Sequence, residues 1–437
     1  MQDNMLTANG CGVWLIMEII DPATPLHRLF FAPALAALEA STRKRVCLDY
    51  SDADFLELGV TRVLMQCQSG RDLIQRLGLL RDNVPGRSNF FEALKSSRRL
   101  GLLEDVGTLL RASCAGRLPD VLRQFPELAG YDVYAADGHS HRAASHDARV
   151  DGQKVAVTHL YARNLRDGWL CHLSACPLKE KGNHHEMAVL QSLSGRELRQ
   201  GAKKGRKVIY VYDRAVLDLA QWFTWKQGSG IYIITRSKDT LVLGIQSLRE
   251  FERDNPLNAN VLRDEVVTAA TSPHPLRRVV FWDEIGGESY EFLTNEMTLP
   301  PGLIAHLYRM RWQIEKSFDE FKNKLGEKKA WGSSAVARDV QAQFICLAEN
   351  LLLLLRHHLE KTEGLRNEAE IRRRQRRLEE ATEKVTASGG VIPLALRELQ
   401  HLTQNSVKFI RWVATLLHCH TPWKSALNRL RSAYAVS

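Results

Sequence analysis

The clearest hydrophobic pattern in the chain lies near its middle. Leu303, Leu307, Met310, Ile314, Phe318, Phe321 and Leu325 recur at helical spacing and define one apolar face. Pro300 and Pro301 precede this run and Gly326 follows it, so the pattern predicts a helix over about 302–325. Within the stretch YRMRWQIEKSFDEFK, Tyr308, Arg311, Glu315 and Lys322 fall on a stripe about 60° wide that flanks the apolar face. Arg309, Lys316, Asp319, Glu320 and Lys324 fall on the far side, where a solvated face is expected. Taken alone, this is an amphipathic helix with i,i+4 ion pairs and a polar stripe at the rim of a core.

The rest of the chain divides by periodicity. Residues 1–128 read as helical, with apolar spacing over Phe55–Leu64 and Leu73–Leu80 and a further helix capped by Ser88 and carrying Phe90, Phe91, Leu94 and Leu100. Over 129–222 the character changes. YDVYAADGHS is a short strand that ends in Asp137-Gly138, and VAVTHLYARN and GWLCHLSAC are two more, joined at Asp167-Gly168. HHEMAVLQSL reads as a helix, and KVIYVYDRAV as a buried strand that ends at Asp213. Residues 223–299 are strand-rich, 300–358 hold the helix described above and a packing helix, and 359–437 are helical. That last region carries RRRQRR at 372–377 among interspersed glutamates, with Ser388-Gly389-Gly390 as a hinge. Phe344–Leu355 is interrupted by Glu349 and Asn350, which predicts a buried helix rather than a membrane span.

Composition adds bounds. A net charge of +10 suits a polyanionic partner, although many basic proteins share it. Arg81, Arg87, Lys95, Arg98, Arg99 and Arg111 crowd the N-terminal region, either as a DNA-binding face or as ordinary solvated charge. The eight cysteines show no disulfide-scaffold spacing. Cys171, His172 and Cys176, and His418, Cys419 and His420, form small groups without a second half at zinc spacing. GAKKGRK at 201–207 lacks the spacing and the hydroxyl residue of a nucleotide-binding loop, and no secretory signal is evident.

The spacing Y-x(2)-R-x(3)-E-x(6)-K, met at all four positions by Tyr308, Arg311, Glu315 and Lys322, resembles the C-terminal signature of the insertion-sequence-four group of DDE transposases. The resemblance implies that Glu315 is the third metal-binding carboxylate and that Arg311 and Lys322 touch DNA phosphates. It also asks for two upstream aspartates at strand ends, and Asp137 and Asp213 occupy such places. Three strands, a helix and another strand is the ribonuclease H-like order, in which the first and fourth strands are neighbours. The expected fold is therefore mixed α+β: a ribonuclease H-like catalytic core (129–222 and 300–358) interrupted by a β-rich insertion (223–299). A helical, DNA-binding N-terminal region (1–128) and a helical C-terminal region (359–437), either a dimerisation module or part of the core, flank it. Asp132, Asp147 and Asp218 compete with the chosen pair, but Asp132 is expected before the strand rather than at its end, and Asp218 inside a helix.

Three carboxylates supply hard oxygen ligands of the kind magnesium prefers, and two Mg2+ ions, with Mn2+ as a substitute, suit in-line phosphodiester cleavage. Asp137 is expected to bridge both ions, with Asp213 and Glu315 each holding one. The resemblance further implies cleavage at an insertion sequence's terminal inverted repeats, strand transfer through a hairpin, double-stranded DNA as partner at element ends and target, and a homodimer in the synaptic complex. It implies a prokaryotic cytoplasmic, nucleoid-associated location and no membrane. Trp282 is the analogous candidate for stacking on a flipped base, against a plain core role. The competing readings are an inactive relic that regulates by binding DNA and a ribonuclease H-like nuclease without strand transfer.

Overall fold

The computed structural model describes residues 21–46, 50–67, 69–79, 86–144, 147, 156–175, 190, 192–213, 218–272, 274–284, 286–320, 323, 325, 329–390, 407–417 and 419–435, without the side chain of residue 313. Its helices are α1 (Leu26–Ala40), α2 (Asp52–Leu64), α3 (Gly70–Gly78), α4 (Arg87–Leu94) and α5 (Ser97–Ser113), then α6 (Gly195–Leu198) and α7 (Leu219–Ser229). They continue with α8 (Pro301–Met310), α9 (Trp312–Asp319), α10 (Ala335–Thr362), α11 (Glu368–Ala387), α12 (Val407–Leu416) and α13 (Trp423–Ala435). The strands are β1 (Tyr131–His141), β2 (Val157–Asn164), β3 (Leu170–Ala175), β4 (Lys207–Val211), β5 (Ile231–Arg236), β6 (Leu243–Leu248), β7 (Val261–Ala269), β8 (Leu276–Asp283) and β9 (Glu288–Thr294).

All nine described strands belong to one mixed sheet in the order β3-β2-β1-β4-β5-β9-β8-β7-β6. β1, β2 and β3 form an antiparallel meander, after which β4 pairs parallel to β1 and β5 parallel to β4. That half has the ribonuclease H-like arrangement. β4 is short and buried along Val208–Val211, as a central parallel strand covered on both faces must be. The strand-rich segment does not form a lobe of its own. β9 pairs antiparallel with β5, and β8, β7 and β6 extend the same sheet outward. The expected boundary at 223 therefore cuts through a continuous structure, because β5 is the fifth core strand and its free edge accepts β9.

α10 is the central support on one face. Its Asn350 amide pairs with both backbone groups of Leu170 on β3, at 3.0 and 2.9 Å, and Glu349 faces Arg163 of β2 at 3.4 Å. The two polar residues that interrupt its apolar run are thus the ones that fasten it to the sheet. On its other side α10 receives the N-terminal helices, with Phe55 of α2 edge-on to Phe344 at 5.1 Å. A single hydrophobic core runs from Leu26 through the sheet face to Leu430. α6 and α7 cover the opposite face through Leu198, Leu219 and Trp222.

Several N-terminal basic residues are engaged in ion pairs. Arg98 and Arg99 both pair with the buried Asp52, at 2.7 and 3.2 Å, Arg111 with Asp167 at 2.6 Å and Lys95 with Glu92 at 2.7 Å. Arg87 opens α4 in an exposed position, and Arg81 lies outside the described residues. The cap of α4 is Gly86 rather than Ser88, and Ser96 caps α5 through the Arg99 N–H. Asp218 is the N-cap of α7, accepting from the Gln221 N–H, instead of an interior helical residue. No described helix is long and apolar enough to cross a membrane.

One close approach seats the helix pair that carries the polar stripe. Pro301 begins α8, and Gly302 follows at a point where a Cβ would stand 1.5 Å from the Leu257 carbonyl oxygen. The Gly302 N–H donates to Asn258 Oδ1 at 3.2 Å. Gly302→Ala should lower stability by roughly 1–3 kcal/mol or more, since backbone must move to admit the methyl group. Chemical unfolding checks this, and an unchanged midpoint would mean that α8 has slack at its entry.

Candidate active site

The predicted single helix is two segments. α8 ends at Met310 and α9 starts at Trp312, with Arg311 in the joint. There the backbone hydrogen bonds shorten to i→i+3 spacing: Arg311 N–H to Tyr308 C=O and Ile314 N–H to Arg311 C=O, both 3.0 Å. The apolar stripe still packs on the sheet. Leu307 and Ile314 are fully buried, Met310 is half-buried against the core, and Phe318 stacks on His139 of β1 at 5.1 Å.

Asp137 and Asp213 stand level beyond the end of β4. β1 runs on to His141, however, so Asp137, paired with Tyr161, lies inside its strand rather than at its end, because β2 continues to pair with β1 past that point. Ala135 of β1 is the register partner of Val211 of β4, and each aspartate lies two residues further along its strand direction. Asp137 Oδ1 accepts from the Gly138 N–H at 2.8 Å. Asp213 is exposed, and its carbonyl accepts from Thr235 Oγ1 on β5 at 2.9 Å.

Arg311 gathers the acids. Its Nη2 lies 2.7 Å from Glu315 Oε1 and its Nη1 3.7 Å from Asp137 Oδ2. Tyr308, whose ring lies 5.5 Å from the guanidinium carbon, donates its hydroxyl to Asp213 Oδ1 at 3.3 Å. One turn of helix therefore touches all three carboxylates. Burial works against the Arg311 charge, yet Glu315, with Tyr308 and Asp213, holds its pKa above the ordinary guanidinium value. Burial raises the Tyr308 phenol, with Arg311 pulling the other way and Asp213 adding to the rise, so it stays protonated and a donor.

The amphipathic wheel places Arg311 at an open rim, whereas it is only 4% exposed. The reason is the joint between α8 and α9, which turns it inward to meet Glu315 and Asp137. Glu320 is buried as well, not on a solvated face, and its charge acts on Arg356 of α10. Asp132, the rejected neighbour, is buried at the far end of β1 and held by Arg206 at 2.9 Å and the Lys203 N–H at 2.7 Å. Asp147 pairs with Arg338 at 2.9 Å. Lys322 lies outside the described residues.

Trp282 is half-buried near the end of β8 and pairs with Ser289 of β9. Strand directions put that end of β8 at the same end of the sheet as Asp213, three strands across. Two residues escaped sequence reasoning. Thr235, which anchors the Asp213 carbonyl, gives no sequence signal, because only the parallel β4–β5 register brings it there. Trp312 is 57% exposed beside Arg311, and its position in the polar arc of α9 was visible in the periodicity.

The donor set fits hard divalent cations: three carboxylates, with no soft ligand among the groups that touch Arg311 and Tyr308. The three do not lie within 4.8 Å of one another, and the Arg311 guanidinium is the positive charge among them. Arg311 Nε and Nη1 are buried without a hydrogen-bond partner among the described residues.

The mixed sheet has the ribonuclease H-like arrangement. Residues 129–351, just over half of the chain, match the family described as Transposase DDE domain, and the chain belongs to that family. Among curated proteins it is similar to one from Sinorhizobium fredii named "Putative transposase y4zB", at 28% identity over 148 residues. That match covers 33% of this chain and 41% of the relative.

Arg311→Met should destabilise the protein in the absence of divalent ions by about 1–3 kcal/mol, because Asp137 and Glu315 lose a charged hydrogen-bonding partner. Added Mg2+ should restore more of the unfolding midpoint in the variant than it adds to the wild type. Equal Mg2+ shifts in the two proteins would separate the guanidinium from the cation site.

Proposed function

We propose that this protein is a transposase of the insertion-sequence-four group. It binds the terminal inverted repeats of its element as a homodimer, cuts them, and joins the freed ends to target DNA through a hairpin. The observation that carries the reading is the convergence of Asp137, Asp213 and Glu315, far apart in sequence, around Arg311 and Tyr308 at one end of the sheet. Carboxylates repel one another, and a fold accepts that cost chiefly where positive charge will be bound. The net charge of +10 supports a DNA partner, and bacterial DNA would place the protein in the cytoplasm at the nucleoid.

Asp137, Asp213 and Glu315 are the residues to hold two Mg2+ ions. Bound there, the ions would activate a water and stabilise the leaving 3′ oxygen. The side chains around them do the positioning. Arg311, held between Glu315 and Asp137, is proposed to contact non-bridging phosphate oxygens once DNA and cations enter the site. Tyr308 keeps Asp213 oriented from the buried side, while Thr235 anchors its backbone. Lys322 is proposed to add a phosphate contact through its ammonium.

Glu315→Gln preserves side-chain shape but removes a ligand charge. With a DNA substrate that carries the terminal repeats and Mg2+, it should abolish nicking and leave end binding nearly unchanged in gel-shift assays. A variant that cuts at the wild-type rate would remove Glu315 from the site. If the wild type nicks but never joins, the nuclease reading takes over, and binding without any cutting favours the regulator.

Trp282 is proposed to stack on a base that leaves the duplex at the hairpin step, and Trp312 is the exposed alternative beside Arg311. Trp282→Ala should slow hairpin formation while sparing the first nick. If Trp312→Ala alone shows that split, the stacking role belongs to α9; equal loss of both steps with lower thermal stability assigns Trp282 to the packing of β8.

A further inference from the structure

A second group of metal-type donors lies on the same sheet face, further along β1 and β2 from Asp137. His159 is fully buried on β2, and its Nδ1 is 3.0 Å from His172 Nε2 on β3. Asp339, on the first turns of α10, completes a cluster in which one ligand atom from each residue lies within 4.8 Å of the others. His159 Nε2 and Asp339 Oδ1 are both buried and have no hydrogen-bond partner among the described residues.

The two histidines meet because of an irregularity in the sheet. Leu160 pairs with Ser174, but Tyr161 pairs with His172, so Leu173 is an extra residue on β3. Side chains alternate along a strand, and one inserted residue reverses which face the rest present. Without the bulge, His172 would point away from His159. With it, His172 shares the face of His159 and Tyr161, beneath α10. Among the described residues Asp339 has no ion pair there. Its neighbour Arg338 is directed to Asp147, at 2.9 Å, and Glu104 adds negative charge beside it.

We propose that His159, His172 and Asp339 form a binding site for a transition-metal cation of the zinc class, separate from the carboxylate site, that ties α10 to β2 and β3. Two imidazoles and one carboxylate are a recurrent ligand set for zinc and for other first-row transition metals. Ligand nitrogens about 2.0–2.1 Å from a tetrahedral zinc stand roughly 3.3–3.4 Å apart, so the pair seen at 3.0 Å needs only a small separation to admit the ion. Burial lowers the His172 pKa to about 4 and takes His159 well below the ordinary range, so both imidazoles are in the neutral, ligating form at neutral pH. With His159 bound through Nδ1, the ion would satisfy the orphaned Asp339 Oδ1 and leave at least one coordination position for water or a neighbouring group. Sequence spacing gives no hint of the site, because its ligands come from two strands and a helix and are not arranged as a local motif.

The test uses the untagged full chain, with excess Mg2+ present to occupy the carboxylate site. After dialysis against limiting Zn2+, metal content is measured by mass spectrometry. One zinc per chain is expected in the wild type and in Asp137→Asn, and its loss in His172→Gln and in Asp339→Asn. Co2+ in place of zinc should give d–d absorption without a thiolate charge-transfer band. The proposal falls if the wild type takes up no zinc, if both His172→Gln and Asp339→Asn keep it, or if Asp137→Asn loses it. A thiolate band would also overturn it, by placing Cys171 or Cys346 at the ion. Should either variant fail to fold by circular dichroism, the cobalt spectrum of the wild type decides.

Discussion

The buried guanidinium of Arg311 is the interaction on which the site depends. A charged group 4% exposed is costly unless it is paired, and here the partners are Glu315 four residues on and Asp137 from another element. The pairing runs in both directions. It keeps the cation acceptable inside the protein, and it keeps two carboxylates close when their own charges would part them. Tyr308 extends the arrangement to Asp213 by a neutral hydrogen bond, which orients that carboxylate without neutralising it. Asp213 stays exposed, so the acid with the weakest protein tie is also the one most open to a bound cation and to solvent.

Placing Arg311 takes the rest of the fold. The β1–β4 register sets the two aspartates level, and α8 and α9 must lie over that end of the sheet at the correct rotation. Gly302 fixes the entry of α8 against residues 256–258 of the extended sheet, and Phe318 on His139 fixes the far end of α9. The strands beyond β5 are therefore part of what aligns the site, since the loop before β7 is the surface on which α8 starts. α10 supplies the opposing wall. Its ties to β2 and β3 join the N-terminal helices and the sheet in a single core, so an opening on that side would disturb the surface beneath α9.

Much of this was legible in the sequence where it rested on period or on strand ends. The stripe of Leu307, Ile314 and Phe318 could be read because burial on one helix face imposes its own spacing. Asp213 could be singled out because a polar residue that closes an apolar strand lies where strands give way to loops, whereas Asp137, read the same way, lies inside β1, which runs on to His141. The burial of Arg311 and Glu320 was not legible. A helical wheel assumes one straight axis, and the joint at Arg311 breaks that assumption, while the charge of Glu320 acts on Arg356, which is on a different helix. The basic N-terminal region misleads for a similar reason. Lysine and arginine counts measure charge, not its partners, and Arg98, Arg99 and Arg111 are paired with acids that are distant in sequence. The continuity of the sheet past β5 was hidden too, since strand composition does not say which edge a strand will join.

The two donor clusters differ in a way that bears on how one chain could keep two kinds of cation apart. Asp137, Asp213 and Glu315 offer only oxygen, on elements that reach the open end of the sheet, and Arg311 stands among them as a competing positive charge. Weakly held, oxygen-loving ions suit such a place, because the guanidinium lowers the affinity that three carboxylates would otherwise give. His159 and His172 offer nitrogen beneath α10, where neutral imidazoles favour a borderline-soft ion and reject magnesium. Both clusters use odd-numbered positions of the same β1–β2 face, yet Phe318 and Tyr161 stand between them, with His139 against the Phe318 ring. That aromatic partition separates the hard-oxygen end from the imidazole end, so that sorting by donor chemistry is reinforced by a physical barrier within a single layer of side chains.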